Sequence, residues 1–219
     1  MSSVIIIGGG GHAAELDEYI RYANRVGVSK IQLTGVIDDN PKAYDQYHFD
    51  CPFLGNISEH EVQNDVQYIV GIANLKYRAP ITQRFIDAGA TFLTFVHPSA
   101  YVAESAIIGT GSVIAPNVNL GPMTTIGAFN MINARCSIGH DTKIGNFNFL
   151  SPNVCFSGGT QVGDGNLFGI NSATIPGIKV GNRNKIMAGM ILEKNVGDDE
   201  TVFYRYKEKI IAVLKSTKG

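Results

Sequence analysis

His140 is the only histidine between residues 102 and 192 of this 219-residue chain, and Asp141 follows it directly. An imidazole titrates near neutrality, so it can take and return a proton at pH 7. A carboxylate beside it fixes the tautomer and raises the basicity. A second constellation lies near the start, where Gly8, Gly10 and Ala13 keep a GxGxxA spacing between an apolar run and a helical pattern, with Asp38 closing the next apolar run. Backbone amides at such a turn, helped by the helix N-terminus, bind phosphate. Alone, this spacing also suits a dinucleotide-dependent dehydrogenase. Fewer than 100 residues precede the repeat described below, enough for one mononucleotide half, so a single nucleotide is the better ligand. The three cysteines, Cys51, Cys136 and Cys155, form no CxxC pair and cannot all pair with one another. Packing is the role expected of Cys136, because neither it nor Cys155 falls one coil away from His140.

These groups must be positioned by a chain that is 44% apolar and 17% charged, enough for one large or two small domains with real cores. Eighteen Lys and Arg offset nineteen Asp and Glu to a net charge of −1, which leaves no basic surplus for a phosphate backbone, and nucleic acid is not an expected partner. The apolar run Val4 to Ile7 ends at once in glycines without a basic leader. It is too short for a signal peptide or a membrane span, and a soluble cytoplasmic protein is expected.

From residue 1 to about 97 apolar runs alternate with helical patterns. Strands are expected at Val4 to Ile7, Ile31 to Ile37, Gln67 to Ile72 and Thr91 to Val96, with helices at Ala13 to Val26 and Pro80 to Ala88. That alternation predicts a small parallel sheet with helices on its faces. The pattern then changes. Stepping by six from Val102 to Leu192 meets sixteen positions, of which only Thr174 is not apolar, where the composition would give about seven. The next position is usually small, as at Gly109, Gly121, Gly127, Gly139, Gly145, Gly163, Gly169 and Gly181. A period of six fits a three-faced parallel β-helix: one short strand and one corner per hexapeptide, the apolar residue toward the axis and the small one letting the chain turn. One coil is eighteen residues, giving about five coils or roughly 24 Å at the strand spacing. His140 plus one coil is Gly158, so the neighbouring coil sets a residue without a side chain beside the imidazole. Backbone donors there suit an oxyanion. The expected boundaries are 1–97, 98–192 and a helical tail over 193–219, in which Phe203, Tyr206, Ile210 and Val213 keep helical spacing.

The glycine-rich GGGGH start, then VIDDNP, CPFLGNI, VGIAN and FVHPSAYV leading into hexapeptides with IGHDTKIGNF, resemble the hexapeptide acyltransferases of the sialic acid O-acetyltransferase type. Within that type the chain is most similar to the N-acetyltransferases of nucleotide-linked 4-amino-sugars such as bacillosamine and perosamine. The resemblance covers almost the whole chain. It implies a Rossmann-like α/β domain followed by a left-handed parallel β-helix, a homotrimer, acetyl-CoA as donor, no metal, and active sites between subunits. It also implies a role in bacterial surface glycans such as the O-antigen of lipopolysaccharide.

Residue by residue, the resemblance implies His140 as general base supported by Asp141, with Gly158 giving an amide to the acetyl carbonyl. Ile170 and Ala188 line the pantetheine arm. Gly10, Gly11 and His12 lie near the diphosphate, Asp38 and Asp39 near base or ribose, and Ala73 in the pocket wall. One position departs: nine residues after the base, where the amino-sugar members usually carry a cofactor-touching histidine, this chain has Phe149, which can pack but cannot donate that hydrogen bond. O-acetylation of a sugar hydroxyl and a non-catalytic sugar-nucleotide scaffold remain the alternatives. The choice among UDP, dTDP and GDP is open.

Overall fold

A computed structural model describes residues 2–204. Its first part is a four-stranded parallel sheet in the order β2-β1-β3-β4, built from β1 (Ser2–Ile7), β2 (Ile31–Ile37), β3 (Gln67–Val70) and β4 (Thr91–Phe92). Three helices connect them: α1 (Gly11–Arg25), α2 (Pro41–Asp45) and α3 (Leu75–Asp87). β1 has β2 on one side and β3 on the other, so the connections diverge and open a crevice at the carboxyl ends of β1 and β3, where sheets of this class take their ligands. Both strand ends run into glycine, Gly8 and Gly71, and each is held by close packing. A Cβ on Gly8, whose φ is +106°, would meet Ile72 at 3.0 Å. No helix among the described residues is long and apolar enough to cross a membrane.

Two elements differ from expectation. α3 starts at Leu75, five residues before Pro80, because the Asn74 side chain accepts the Lys76 amide at 3.0 Å and caps the helix earlier. Pro80 then sits inside the helix at the loss of one main-chain bond. The expected strand 91–96 is split: β4 stays in the α/β sheet, while β5 (Phe95–Val96) pairs with Val113–Ile114 as the first strand of the repeat.

The repeat is a parallel β-helix whose two-residue strands form sheets of five, seven and six strands. It is the left-handed form that the resemblance implied. The axial column from Ile114 to Leu192 is buried. Thr174, its one polar member, is 4% exposed, and its Oγ1 accepts the Ser157 amide at 3.1 Å and meets the Thr160 hydroxyl at 2.8 Å, so the hydroxyl is satisfied inside the core. The small residue after each axial one is needed for stacking. A Cβ on Gly109 would lie 2.5 Å from the Gly127 backbone, and one on Gly139 2.7 Å from the Gly158 nitrogen. The turn itself is made two residues later, where Asn117, Met123, Phe129, Arg135, Asp141 and others carry φ of 56–61°.

The solenoid holds about six coils instead of five, running from β5 to a last strand at Thr201–Val202, which pairs with Lys185–Ile186. The hexapeptide register ends at Leu192 because the following side is two residues short. Val196 bridges Val180 and Val202 pairs with Ile186, each sixteen residues apart instead of eighteen. Residues 193–202, expected in a tail, are therefore coil. Tyr206, Ile210 and Val213, expected in a helix, lie outside the described residues.

An asparagine ladder runs up one internal corner. The Asn148 side chain donates to Asn130 Oδ1 at 3.0 Å and to the Gly163 carbonyl at 2.9 Å, and its Oδ1 accepts the Asn166 amide at 2.8 Å. The α/β part docks on the outer face of the seven-strand sheet, where Val113 and Met131 are fully buried against the cluster of Leu16, Ile20 and Phe95. At this junction His97 stacks on Tyr22 at 5.0 Å and meets Tyr19 edge-on at 5.5 Å.

Asn148→Ala should cost about 2–4 kcal/mol, because it takes the acceptor from the Asn166 donors on one neighbouring coil and a donor from Asn130 Oδ1 on the other, and calorimetry should show a Tm lowered by roughly 4–16 °C. Burial holds the pKa values of His97 and His60 below the ordinary 6.5. Above that value both states are neutral and the stability is whole. As pH falls through 6.5 the unfolded chain takes protons the folded one refuses, so urea-unfolding free energy should decline from pH 7 toward pH 5, with a shallower slope in His97→Asn.

Candidate active site

The His140 corner joins the six-strand sheet to the five-strand sheet, between the strands Ser137–Ile138 and Lys143–Ile144. His140 Nδ1 lies 2.7 Å from Asp141 Oδ2, and the two side chains are 70% and 63% exposed. Asp141 occupies the left-handed turn position, φ 58°, a conformation that Asp tolerates better than most residues. Its amide is fixed by the Pro122 carbonyl of the preceding coil at 2.9 Å, and the His140 carbonyl accepts the Gly159 amide of the next at 2.9 Å. The backbone under the imidazole is thus bolted to both neighbours, while the ring faces solvent. With Nδ1 on the carboxylate, Nε2 has no protein partner among the described residues and is left free for a proton.

Gly158 sits where the eighteen-residue spacing put it. A Cβ there would come within 2.6 Å of His140 Nε2, so only glycine leaves the ring its place. Its carbonyl accepts the Gly177 amide at 3.0 Å, whereas its own N–H donates to no group among the described residues. Ile170 and Ala188 lie on a different corner, between the seven-strand and six-strand sheets, on successive coils with the Gly189 amide bonded to the Ile170 carbonyl at 2.8 Å. Between that corner and the base, the outward column of the six-strand sheet is Ser137, Cys155 and Ala173, all small. Cys136 is buried, with Sγ 3.3 Å from the Ser151 carbonyl, and burial pushes its thiol up to about 12.

The second cluster is the crevice of the α/β sheet. Gly10 is the N-cap of α1 and provides no side-chain cap, so the first amides of the helix face outward without one. His12, in the first turn, places Nδ1 3.1 Å from Glu15 Oε2. Its side chain is 9% exposed, and its Nε2 is buried without a hydrogen-bond partner among the described residues. Asp38 and Asp39 are both engaged within the chain. Asp38 accepts the Gly9 amide at 2.6 Å and the Asn40 amide at 2.7 Å, and Asp39 accepts the Ser58 amide at 2.9 Å and its hydroxyl at 3.0 Å. They shape the rim of the crevice. Ala73 is exposed on the loop after β3.

Phe149, in β14 (Phe149–Leu150), meets the His12 ring edge-on at 5.8 Å, so the departing residue of the repeat touches the glycine-loop histidine of its own chain. This contact was not foreseen. Nor was Arg78, fully buried without a carboxylate: it donates to the carbonyls of Val70 and Ile72 at 3.0 Å and reaches that of Phe129 in the solenoid at 3.5 Å. Burial lowers its pKa to about 10, so it remains a cation at neutral pH. Both had a signal in the sequence. Phe95, Val113, Met131 and Phe149 are apolar at outward positions spaced by eighteen, where the five-strand sheet has Lys143, Gln161 and Lys179. Arg78 shares the buried helix face of Thr82 and Phe85.

Residues 3–85, which form the crevice, match the model of the PglD N-terminal domain. Over 116 residues the chain is 30% identical to UDP-N-acetylbacillosamine N-acetyltransferase of Bacillus subtilis (strain 168). That alignment takes in 52% of this chain and 51% of the relative, so it spans about half the length of the curated protein it matches. Among solved structures, PerB from Caulobacter crescentus, determined with CoA and GDP-perosamine, has a TM-score of 0.80 at 25% identity, covering 92% of this chain and 93% of PerB. The acetyltransferase domain of PglB from Neisseria gonorrhoeae FA1090 gives 0.79 at 23% identity, over 92% and 96%. Together with the match over residues 3–85, these bear out the resemblance to hexapeptide-repeat acyltransferases of the amino-sugar type.

Gly158→Ala should leave far-UV circular dichroism unchanged and displace the His140 ring, moving its Cε1–H NMR resonance; an unmoved resonance would show that the ring does not rest on Gly158.

Proposed function

We propose that the protein is an acetyl-CoA-dependent N-acetyltransferase acting on the 4-amino group of a nucleotide-linked amino-deoxy sugar. The observation that carries this reading is the corner itself: a partner-free Nε2 on an imidazole anchored to Asp141, lying over a glycine whose N–H is unspent. The relative from Bacillus subtilis bears the name of such an enzyme. PerB was solved with CoA and GDP-perosamine, and the PglB domain with acetyl coenzyme A. Membership in a surface-glycan pathway, such as O-antigen biosynthesis in the cytoplasm, belongs to the same reading.

The residues assign the steps. His140 Nε2 accepts the proton as the sugar amine nitrogen bonds to the thioester carbonyl carbon, and Asp141 stabilises the imidazolium so formed. The Gly158 N–H meets the oxygen on which negative charge develops. The C–S bond then breaks, and the imidazolium returns its proton to the departing thiolate. The acetyl donor is read as lying from the Ile170 and Ala188 corner across the small column Ser137, Cys155 and Ala173 to the base. The nucleotide is read as lying in the crevice, its diphosphate at Gly10, Gly11 and His12, with Asp38, Asp39 and Ala73 shaping the wall. Phe149 closes the pocket from the solenoid side and gives it an apolar surface where a histidine would be a donor.

Within one chain the crevice abuts the seven-strand sheet, while the base lies on the corner opposite that sheet. A sugar held in the crevice therefore needs the base of another copy, which supports the homotrimer. The functional limits in this reading are 1–97 for the nucleotide sugar and 98–192 for acetyl transfer, with the last coil continuing the second part to Val202.

An assay pairing amino-sugar nucleotides with their hydroxyl counterparts should show turnover of the amines alone. His140→Ala should lower kcat by roughly 10²–10⁴-fold with little change in KM for acetyl-CoA, and Asp141→Asn should cost less. Cys136→Ser and Cys155→Ser should remain active, and initial-rate patterns should intersect; parallel lines would point to an acetyl-enzyme and sink direct transfer.

A further inference from the structure

The segment after β2 carries two tyrosines that use their hydroxyls differently. Tyr44 stacks on Phe49 at 5.1 Å and donates to the Cys51 carbonyl at 2.8 Å, so its hydroxyl is spent on the backbone. Tyr47 packs edge-on against the other side of this arrangement, 6.4 Å from the Phe49 ring, and its hydroxyl has no hydrogen-bond partner among the described residues. That hydroxyl lies against the first residue of α1: a Cβ on Gly11 would meet Tyr47 Oη at 2.9 Å. Gly11 has an ordinary helical backbone here, so a side chain at this position would press on the phenol and not strain the turn.

Three unspent polar groups thus belong to the first turn of α1 or lie against it. They are the outward amides of a fifteen-residue helix with no side-chain cap, the buried partnerless Nε2 of His12 in its first turn, and the Tyr47 hydroxyl beside Gly11. The helix end favours an anion, and the phenol is a neutral donor that strengthens against one. Resting on the nucleotide-sugar reading of this crevice, we propose that Tyr47 is a further substrate-binding residue. Its hydroxyl donates to a diphosphate oxygen held at the N-terminus of α1, and Phe49 and Gly11 hold it in place.

Calorimetric titration of UDP, dTDP, GDP and inorganic pyrophosphate into the full-length protein tests this. The diphosphate that binds wild type should bind Tyr47→Phe about tenfold more weakly, the range for a hydrogen bond to a charged group, with the unliganded Tm unchanged. Gly11→Ala, which displaces the hydroxyl, should weaken binding in wild type and add little in the Tyr47→Phe background. Equal affinity of wild type and Tyr47→Phe, or strictly additive losses in the double variant, would overturn the role of Tyr47 and leave the proposed function standing. Failure of wild type to bind any of the four would remove the nucleotide reading and this inference together.

Discussion

Coil-on-coil stacking at an eighteen-residue register is the constraint on which the rest of the molecule depends. Each two-residue strand is too short to be stable alone, and it exists because the strands eighteen residues before and after supply its hydrogen bonds. The register carries everything outside the axis as well. It sets Asn148 between Asn130 and Asn166, and it sets Gly158 beside His140. A reactive side chain on such a scaffold is located by arithmetic, since its backbone is clamped by the Pro122 carbonyl below and the Gly159 amide above. Rigidity of this kind suits a group that has to meet a substrate arriving from outside the coil.

The α/β part uses the same register in another way. An outward column on a β-helix is ordinarily solvated, as Lys143 and Lys179 are. On the seven-strand sheet that column turns apolar over Phe95, Val113, Met131 and Phe149, and α1 and the strand β1 bury it. Arg78 crosses the same junction. A buried cation without a carboxylate costs free energy, and among the described residues its charge is met by the carbonyls of Val70, Ile72 and Phe129. Those carbonyls belong to the end of β3, the crevice loop and the solenoid, so the guanidinium binds the crevice wall to the scaffold that bears His140. Phe149 against His12 is a second such link.

Much of this was legible in the linear order of residues. A period of six marks its own architecture because each hexapeptide repeats one strand and one corner, so Val102 to Leu192 could be placed on the axis and Gly158 beside His140 without coordinates. The strand Ile31–Ile37 was legible for the same reason, a local pattern reporting a local environment. Where the period failed, the reading failed with it: a side two residues short ended the register at Leu192 while the coil went on to Val202. Pro80 read as a helix start, because a lone proline is a stronger local signal than an asparagine cap five residues earlier.

The sequence by itself therefore determined the two architectures, the axial column and the placing of Gly158 beside His140, since each depends on spacing along the chain. Tertiary structure alone decided what the crevice acids do, where Arg78 goes, and which face of the solenoid the first domain covers. Asp38 and Asp39 look like ligands in the sequence and are engaged by Gly9, Asn40 and Ser58 in the fold. Tyr47 looks like an ordinary surface aromatic and comes to rest on Gly11, thirty-six residues away. The physical reason is the same in each case: a hydrogen-bond partner brought from a distant segment leaves no period in the chain, and only the folded packing selects it.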